Sequence, residues 1–228
     1  MALVLPVREI PTLPVEGGGA FPVHRVFGVG RNYAGHAREM GMSPRRAPVW
    51  FTKPDTCVVP DGSTVPYPPA TRALHHEGEL VVALGEGGEA IPEGDALAHV
   101  YGFAAGLDLT RRDMQTVARQ HGGPWALAKG FDGAAPVGPI RPGQTPPQGT
   151  LRLTVNGLAR QESGLDAMLR PVAALIATLS ASIPLRPGDL LFTGTPSGVG
   201  PVTAGDHIAV EVADLPRLGI TIGERVAP

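Results

Sequence analysis

The stretch Leu74-His75-His76-Glu77-Gly78-Glu79-Leu80-Val81-Val82-Ala83-Leu84 (LHHEGELVVAL, residues 74–84) joins a polar segment to an unbroken apolar run. The apolar half is short and reads as a strand that runs into the interior. Two carboxylates spaced two apart on a strand point to the same face. Like charges that close repel unless water or a cation separates them, and glutamates at the edge of a core need a partner. The plainer reading is a pair of solvated strand carboxylates.

The same pattern of short apolar runs extends outward on both sides. Glycine and proline number 31 and 25 of 228 residues, about a quarter of the chain, and they separate the runs rather than forming tracts. With a hydrophobic fraction of 43%, this is turn punctuation in a folded chain, not disorder. Residues 24–29, 49–53, 151–155, 189–193, 207–212 and 218–222 read as further short strands, and 103–107 as an apolar segment ending at Asp108. Residues 151–155 (LRLTV) alternate with period two, and Asn156-Gly157 behind them signals a hairpin. Three helices are expected: a short one with Asn32 as cap and Gly41 as stop, one capped by Thr110 and stopped by Gly122, and one over 171–182 opening on Pro171. Strands outnumber helices, so the fold class is α+β and β-rich: a mixed, mostly antiparallel sheet roll or sandwich with a few short outer helices. Residues 1–22 read as an extended, weakly structured lead-in to a single domain over 23–228, and 42–48 as an exposed loop.

Composition excludes several functions. One cysteine cannot form an internal disulfide or a cysteine-based zinc site. A net charge of −2 with no basic block argues against nucleic acid as a partner. No apolar stretch is long enough to span a membrane. The opening MALVLPVREIPTLP lacks a positive n-region and is broken by Pro6, Pro11 and Pro14, so no secretory signal is expected and the location expected is cytoplasmic.

Further residues can carry chemistry. Asp108 ends an apolar segment just before a helix start; it is either a helix cap or a third carboxylate beside Glu77 and Glu79. Three carboxylates suit a hard divalent ion: Mg2+ foremost, with Mn2+ or Ca2+ as alternatives. His36 and Glu39, at i and i+3, share a helix face, where the carboxylate would orient the imidazole as a base toward water. Arg112 and Gln115 share the face of the helix after Asp108. Lys129 lies among apolar residues, where an ammonium is expected to lose basicity and to donate a proton or anchor a carboxylate. The segment Thr193-Gly194-Thr195-Pro196-Ser197-Gly198 can offer backbone N–H groups to an anion, although it lacks the P-loop ending. Each signal also has a bland alternative: a chance polar pair, solvated helix surface, a snorkelling lysine, an ordinary turn.

Taken together and in order, the blocks GVGRNYAGHAREMG (28–41), WFTKP (50–54), TRALHHEGEL (71–80), YGFAAGLDLTRRDMQ (101–115), WALAKGFD (125–132), VNG…RQ (155–161) and LRPGDLLFTGTPSGVGPV (185–202) resemble the fumarylacetoacetate hydrolase family. The chain is most similar to its small acylpyruvate hydrolase branch, on the bacterial fumarylpyruvate hydrolase side. The resemblance implies a homodimer that cleaves the C–C bond of 3-acylpyruvates to pyruvate and a carboxylic acid. It implies Glu77, Glu79 and Asp108 as metal ligands and His36 with Glu39 as the water-activating dyad. Lys129 is implied as a catalytic residue at the departing enolate, and Arg112, Gln115, Thr195 and Arg31 as substrate contacts. Oxaloacetate tautomerase or decarboxylase activity, and 2-hydroxymuconate-type isomerase or decarboxylase activity, are alternatives on the same site. A catalytically silent metal- or ligand-binding protein is the reading from a different class. Gly78 departs from the larger apolar residue that the family usually has there, and a glycine in a strand is expected to loosen the packing.

Overall fold

The computed structural model describes residues 3–41, 43 and 47–225. Four residues of the expected 42–48 loop, Met42 and Pro44 to Arg46, lie outside the described residues. Two sheets carry the core. The larger, of eight strands, has the order Val49–Lys53, Val26–Gly30, Leu190–Phe192, Gly78–Leu84, Val100–Leu107, Ala135–Val137, Val58–Pro60, and Arg141–Pro142 also pairs with Val100–Leu107. Its centre is apolar because all seven residues of Gly78–Leu84 are buried, as the unbroken run predicts. The second sheet runs Leu158–Gly164, Thr150–Val155, His207–Val212, Leu218–Arg225, Thr64–Tyr67. Leu190–Phe192 pairs parallel with Val26–Gly30, Ala135–Val137 with Val58–Pro60, and Leu218–Arg225 with Thr64–Tyr67; the other pairings in these sheets are antiparallel. This is the β-rich, mixed architecture expected from the sequence.

The Asn156-Gly157 hairpin forms, with both residues at positive φ (52° and 78°), as a primed turn needs. Among the described residues four α-helices lie outside the sheets: α1 (Ala34–Glu39), α2 (Arg112–Gln120), α3 (Ala126–Lys129) and α4 (Val172–Ser180). Gly41 and Gly122 follow α1 and α2 at φ 65° and 66°, as stop glycines do.

Two caps differ from expectation. Asn32 does not cap α1. Its Nδ2 donates to the carbonyls of Thr193 (2.8 Å) and Arg170 (3.1 Å), and its Oδ1 accepts from the Arg170 amide (2.9 Å), so tertiary partners take the groups a cap would use. Thr110 does not cap α2, which opens two residues later; its hydroxyl donates to the Asp108 carbonyl. Pro171 stands one position before α4 rather than at its first residue. The N-terminal stretch is more ordered than its prolines suggest: Thr12–Pro14 pairs with Ala20–Pro22, and Leu13 and Phe21 are buried.

Gly78 is the place where the two sheets meet closely. A Cβ there would lie 3.1 Å from Leu153 Cδ1 and 3.5 Å from Leu151 Cδ2. The glycine therefore does not loosen the packing as expected; leucines of the second sheet occupy the room that a side chain would need.

Candidate active site

The antiparallel ladder between Gly78–Leu84 and Val100–Leu107 pairs Gly78 with Leu107, and the Asp108 amide donates to the Glu77 carbonyl at 2.8 Å. That one extra hydrogen bond carries the ladder past the strand end and sets Asp108 beside the glutamates. Glu77, Glu79 and Asp108 each offer an oxygen within 4.8 Å of the others. They are 3%, 1% and 0% exposed, which removes the solvated-strand reading for the pair. Asp108 does not cap α2: its carboxylate turns inward to two lysines.

Those lysines and an arginine balance the charge. Lys129 Nζ donates to Glu77 Oε2 (2.7 Å), to Asp108 Oδ2 and to Thr110 Oγ1 (2.7 Å). Arg112 donates to Glu77 Oε1 and to Gln115 Oε1. Lys53 Nζ stands 2.7 Å from Asp108 Oδ1 and donates to the carbonyls of Lys129, Ala134 and Leu109. Burial alone would raise the Glu77 carboxyl, but Lys129 and Arg112 outweigh it and hold it well below the ordinary carboxylate range. Glu79 goes the other way. Burial first, then the Asp108 and Glu77 charges, push it well above that range, against the Lys129 charge and one backbone N–H, from Gly194. Lys129 corrects the sequence expectation: burial lowers it, yet Asp108 and Glu77 leave its basicity raised overall. The lysine is not in apolar surroundings but wedged between carboxylates.

His36 and Glu39 come together on α1. His36 Nδ1 lies 3.2 Å from Glu39 Oε2, and the Gly198 amide donates to Glu39 Oε1 at 3.0 Å. His36 is 7% exposed; burial lowers its pKa from the ordinary 6.5, against the raising effect of Glu77 and Glu39. The imidazole is therefore neutral near pH 7.

The glycine-rich turn does donate backbone N–H groups to anions, and the anions are the protein's own carboxylates. Gly194 donates to Glu79 Oε2 (2.7 Å) and Gly198 to Glu39. Both glycines sit at positive φ, 94° and 96°. A Cβ at Gly198 would stand 2.2 Å from the Arg160 carbonyl oxygen, and one at Gly194 would stand 2.9 Å from Asn32 Cβ, so only glycine lets the amides approach.

Gln161 was not singled out by sequence, although it closes one of the matched blocks. Its Oε1 accepts from the Gly78 amide (2.9 Å), and its Nε2 donates to Thr195 Oγ1 (2.8 Å) and to the Pro196 carbonyl (2.9 Å). The Thr195 hydroxyl donates in turn to the Gly78 carbonyl (2.8 Å). Lys53 was missed likewise, and the glycine-rich turn was read as an anion donor without its partners, Glu79 and Glu39; nothing in the local sequence points to partners so far along the chain.

Arg31, His36, Glu77, Glu79, Asp108, Arg112, Gln115, Lys129 and Thr195 all line one cavity, closed further by Phe51 and Trp125. Glu39 stands behind His36. The free space is about 20 Å³, room for about one water. Arg31 sits on its wall at φ 69°, an uncommon conformation for a residue with a Cβ. Buried carboxyl oxygens, one pair of them on Glu79, which burial and its neighbours push well above the carboxylate range, are a donor set that a hard divalent cation fits.

The family model described as fumarylacetoacetate (FAA) hydrolase C-terminal matches residues 25–223. The chain belongs to the fumarylacetoacetate hydrolase family. Within that family it is 45% identical over 183 residues to the mitochondrial oxaloacetate tautomerase of Mus musculus, covering 79% of this chain and 83% of the relative. It is 44% identical over 176 residues to the fumarylpyruvate hydrolase of a Ralstonia species, covering 76% and 92%. The crystal structure of fumarylpyruvate hydrolase from Pseudomonas aeruginosa in complex with Mn2+ and pyruvate superposes with a TM-score of 0.96 at 42% identity, covering 98% of this chain and all of that one. The β-rich roll described above is thus the fumarylacetoacetate hydrolase fold. No helix among the described residues is long and apolar enough to cross a membrane.

Proposed function

We propose that this chain is a divalent-metal-dependent hydrolase that cleaves the C–C bond of 3-acylpyruvates of the fumarylpyruvate or acetylpyruvate type. The observation that carries the reading is one cavity holding both a buried three-carboxylate cluster and a neutral histidine backed by a carboxylate. A family relative crystallised with Mn2+ and pyruvate supports it. Glu77, Glu79 and Asp108 would hold the ion, which when bound supplies Lewis-acid polarisation to the 2-oxo acid head.

The chain's own groups do the rest. His36 Nδ1 is engaged by Glu39, which leaves Nε2 as the basic atom. Nε2 takes a proton from water, and the hydroxide adds to the distal carbonyl carbon. The bond between that carbon and C3 breaks, and its electron pair stays on C3 as the pyruvate enolate. Lys129 Nζ, held charged by Asp108 and Glu77, favours the developing negative charge and protonates C3. Arg112 and Gln115 hold the acyl end, Thr195 the pyruvyl carboxylate, and Arg31 contacts substrate from the cavity wall.

A second reading is oxaloacetate tautomerase. The two named relatives are 45% and 44% identical, so similarity does not separate them. Tautomerisation needs proton transfer at C3 alone, without addition of water. Turnover of fumarylpyruvate, acetylpyruvate and oxaloacetate with and without Mn2+, followed by enol absorbance, coupled pyruvate detection and CO2 release, decides. Metal-dependent pyruvate formation from an acylpyruvate supports the hydrolase. Enol interconversion of oxaloacetate without pyruvate supports the tautomerase, CO2 release a decarboxylase, and no turnover a silent binding protein.

A further inference from the structure

Helix α2 runs along the cavity like a graduated wall. Arg112, Gln115 and Arg119 occupy positions i, i+3 and i+7, one helix face, and all three line the cavity. Seven residues at 1.5 Å each put Arg112 and Arg119 about 10 Å apart along the axis. The inner two already have partners within the site: Arg112 is paired with Glu77, and Gln115 accepts from Arg112. Arg119 is different. It is half-buried, and its side-chain hydrogen bond goes to a neutral group, the Met40 carbonyl at 2.7 Å. Among the described residues it forms an ion pair with no carboxylate.

Arg119 also stands at a boundary. With Arg31 and Trp125 it lines both the inner cavity and a larger outer cleft of about 730 Å³. Burial, together with the nearby Arg112 and Arg31 charges, lowers its basicity, which marks the passage between the two spaces as positive. A guanidinium that lines both spaces and is held by one carbonyl is suited to a carboxylate, which its planar fork can meet with two parallel hydrogen bonds.

We propose that Arg119 is the specificity-determining residue of this site and selects 2-oxo acids that carry a second carboxylate at the end away from the 2-oxo group. The proposal rests on the reading above only in setting the 2-oxo acid head at the acidic cluster; the about 10 Å of helix then sets where the far carboxylate falls.

The test is calorimetric binding of two uncleavable ligands to the Mn2+-loaded protein: 2-oxoheptanedioate, and 2-oxoheptanoate, which lacks the far carboxylate. The wild type is expected to favour the diacid by about 10- to 100-fold, the size of one charged hydrogen bond in a partly buried site. Arg119→Gln keeps a donor for the Met40 carbonyl but loses the charge, and should bring the ratio close to 1. Arg119→Lys should retain part of it. Equal affinities in the wild type, no binding of the diacid, or a wild-type ratio preserved in Arg119→Gln would overturn the proposal. Failure to cleave acylpyruvates would sink the hydrolase reading while leaving this ratio to be read on its own.

Discussion

The Gln161 amide donates to Thr195 Oγ1 at 2.8 Å while its own oxygen accepts from the Gly78 backbone at 2.9 Å. One buried side chain thus ties the segment of Glu77 and Glu79 to the turn that carries Thr195. Gln161→Leu strands the Gly78 N–H, and buried unsatisfied groups cost about 1–3 kcal/mol each. The variant should lose stability on that scale in urea denaturation. Because Thr195 loses its tether, KM for the 2-oxo acid should rise more than kcat falls. A kcat loss with unchanged KM would contradict this role.

His36→Ala and Glu39→Gln should each slow turnover about 10²-fold or more, the usual size of general-base loss, while Mn2+ binding by calorimetry persists. The sign of the pH effect follows from burial. The His36 pKa lies below the ordinary 6.5, so the basic form predominates at pH 7, and kcat/KM should fall as pH drops through that lowered value. Glu39 raises the imidazole pKa, so Glu39→Gln should move the acid limb to still lower pH as the plateau drops. A limb that does not move in Glu39→Gln would place the titration elsewhere.

Glu79 provides a test that does not use turnover. Its carboxyl is pushed well above the carboxylate range by burial and by Asp108 and Glu77. An acid with a raised folded pKa contributes stability below its unfolded pKa, near 4.5, and loses it as pH climbs through the folded value. Glu77, held low by Lys129 and Arg112, contributes in the opposite sense, with stability present above 4.5 and lost as pH falls. A divalent ion competes with the Glu79 proton, so Mn2+ should raise Tm more at pH 8 than at pH 5.5, and EDTA should reverse the gain. Glu79→Gln should abolish most of that difference. An identical Mn2+ effect at both pH values would argue against Glu79 as a ligand.

The residues legible in the sequence are those whose geometry is encoded by short spacing. Glu77 and Glu79 are two apart on one chain segment, and His36 and Glu39 three apart on one helix, so local periodicity alone puts each pair together. Asp108 was legible as the end of an apolar run beside a helix start, but its pairing with Glu77 is a tertiary event. The long-range partners that support them were not legible. Gln161 reaches Gly78 across 83 residues, Gly194 reaches Glu79 across 115, and Gly198 reaches Glu39 across 159. Asn32 misled for the same reason. Its local pattern is that of a cap, but the Arg170 and Thr193 backbone groups, far along the chain, compete for its amide and win. Lys129 misled because its sequence neighbours are apolar while its neighbours in space are acids.

Gly78 supplies the last test. A side chain there meets Leu153 at 3.1–3.3 Å and Leu151 at 3.5 Å, between the two sheets. Restoring a larger apolar residue by Gly78→Val should therefore destabilise the protein by about 1–3 kcal/mol through overpacking, although valine has the better strand propensity. If the clash is the cause, Leu153→Ala in the same chain should recover much of the loss, and the two substitutions should be strongly non-additive. The strain would fall between Glu77 and Glu79, so Mn2+ affinity should weaken with stability in the single variant and return with it in the double. A Gly78→Val protein as stable as the wild type would mean that Leu153 yields at no cost and that the close approach of the sheets does not fix the spacing of the two carboxylates.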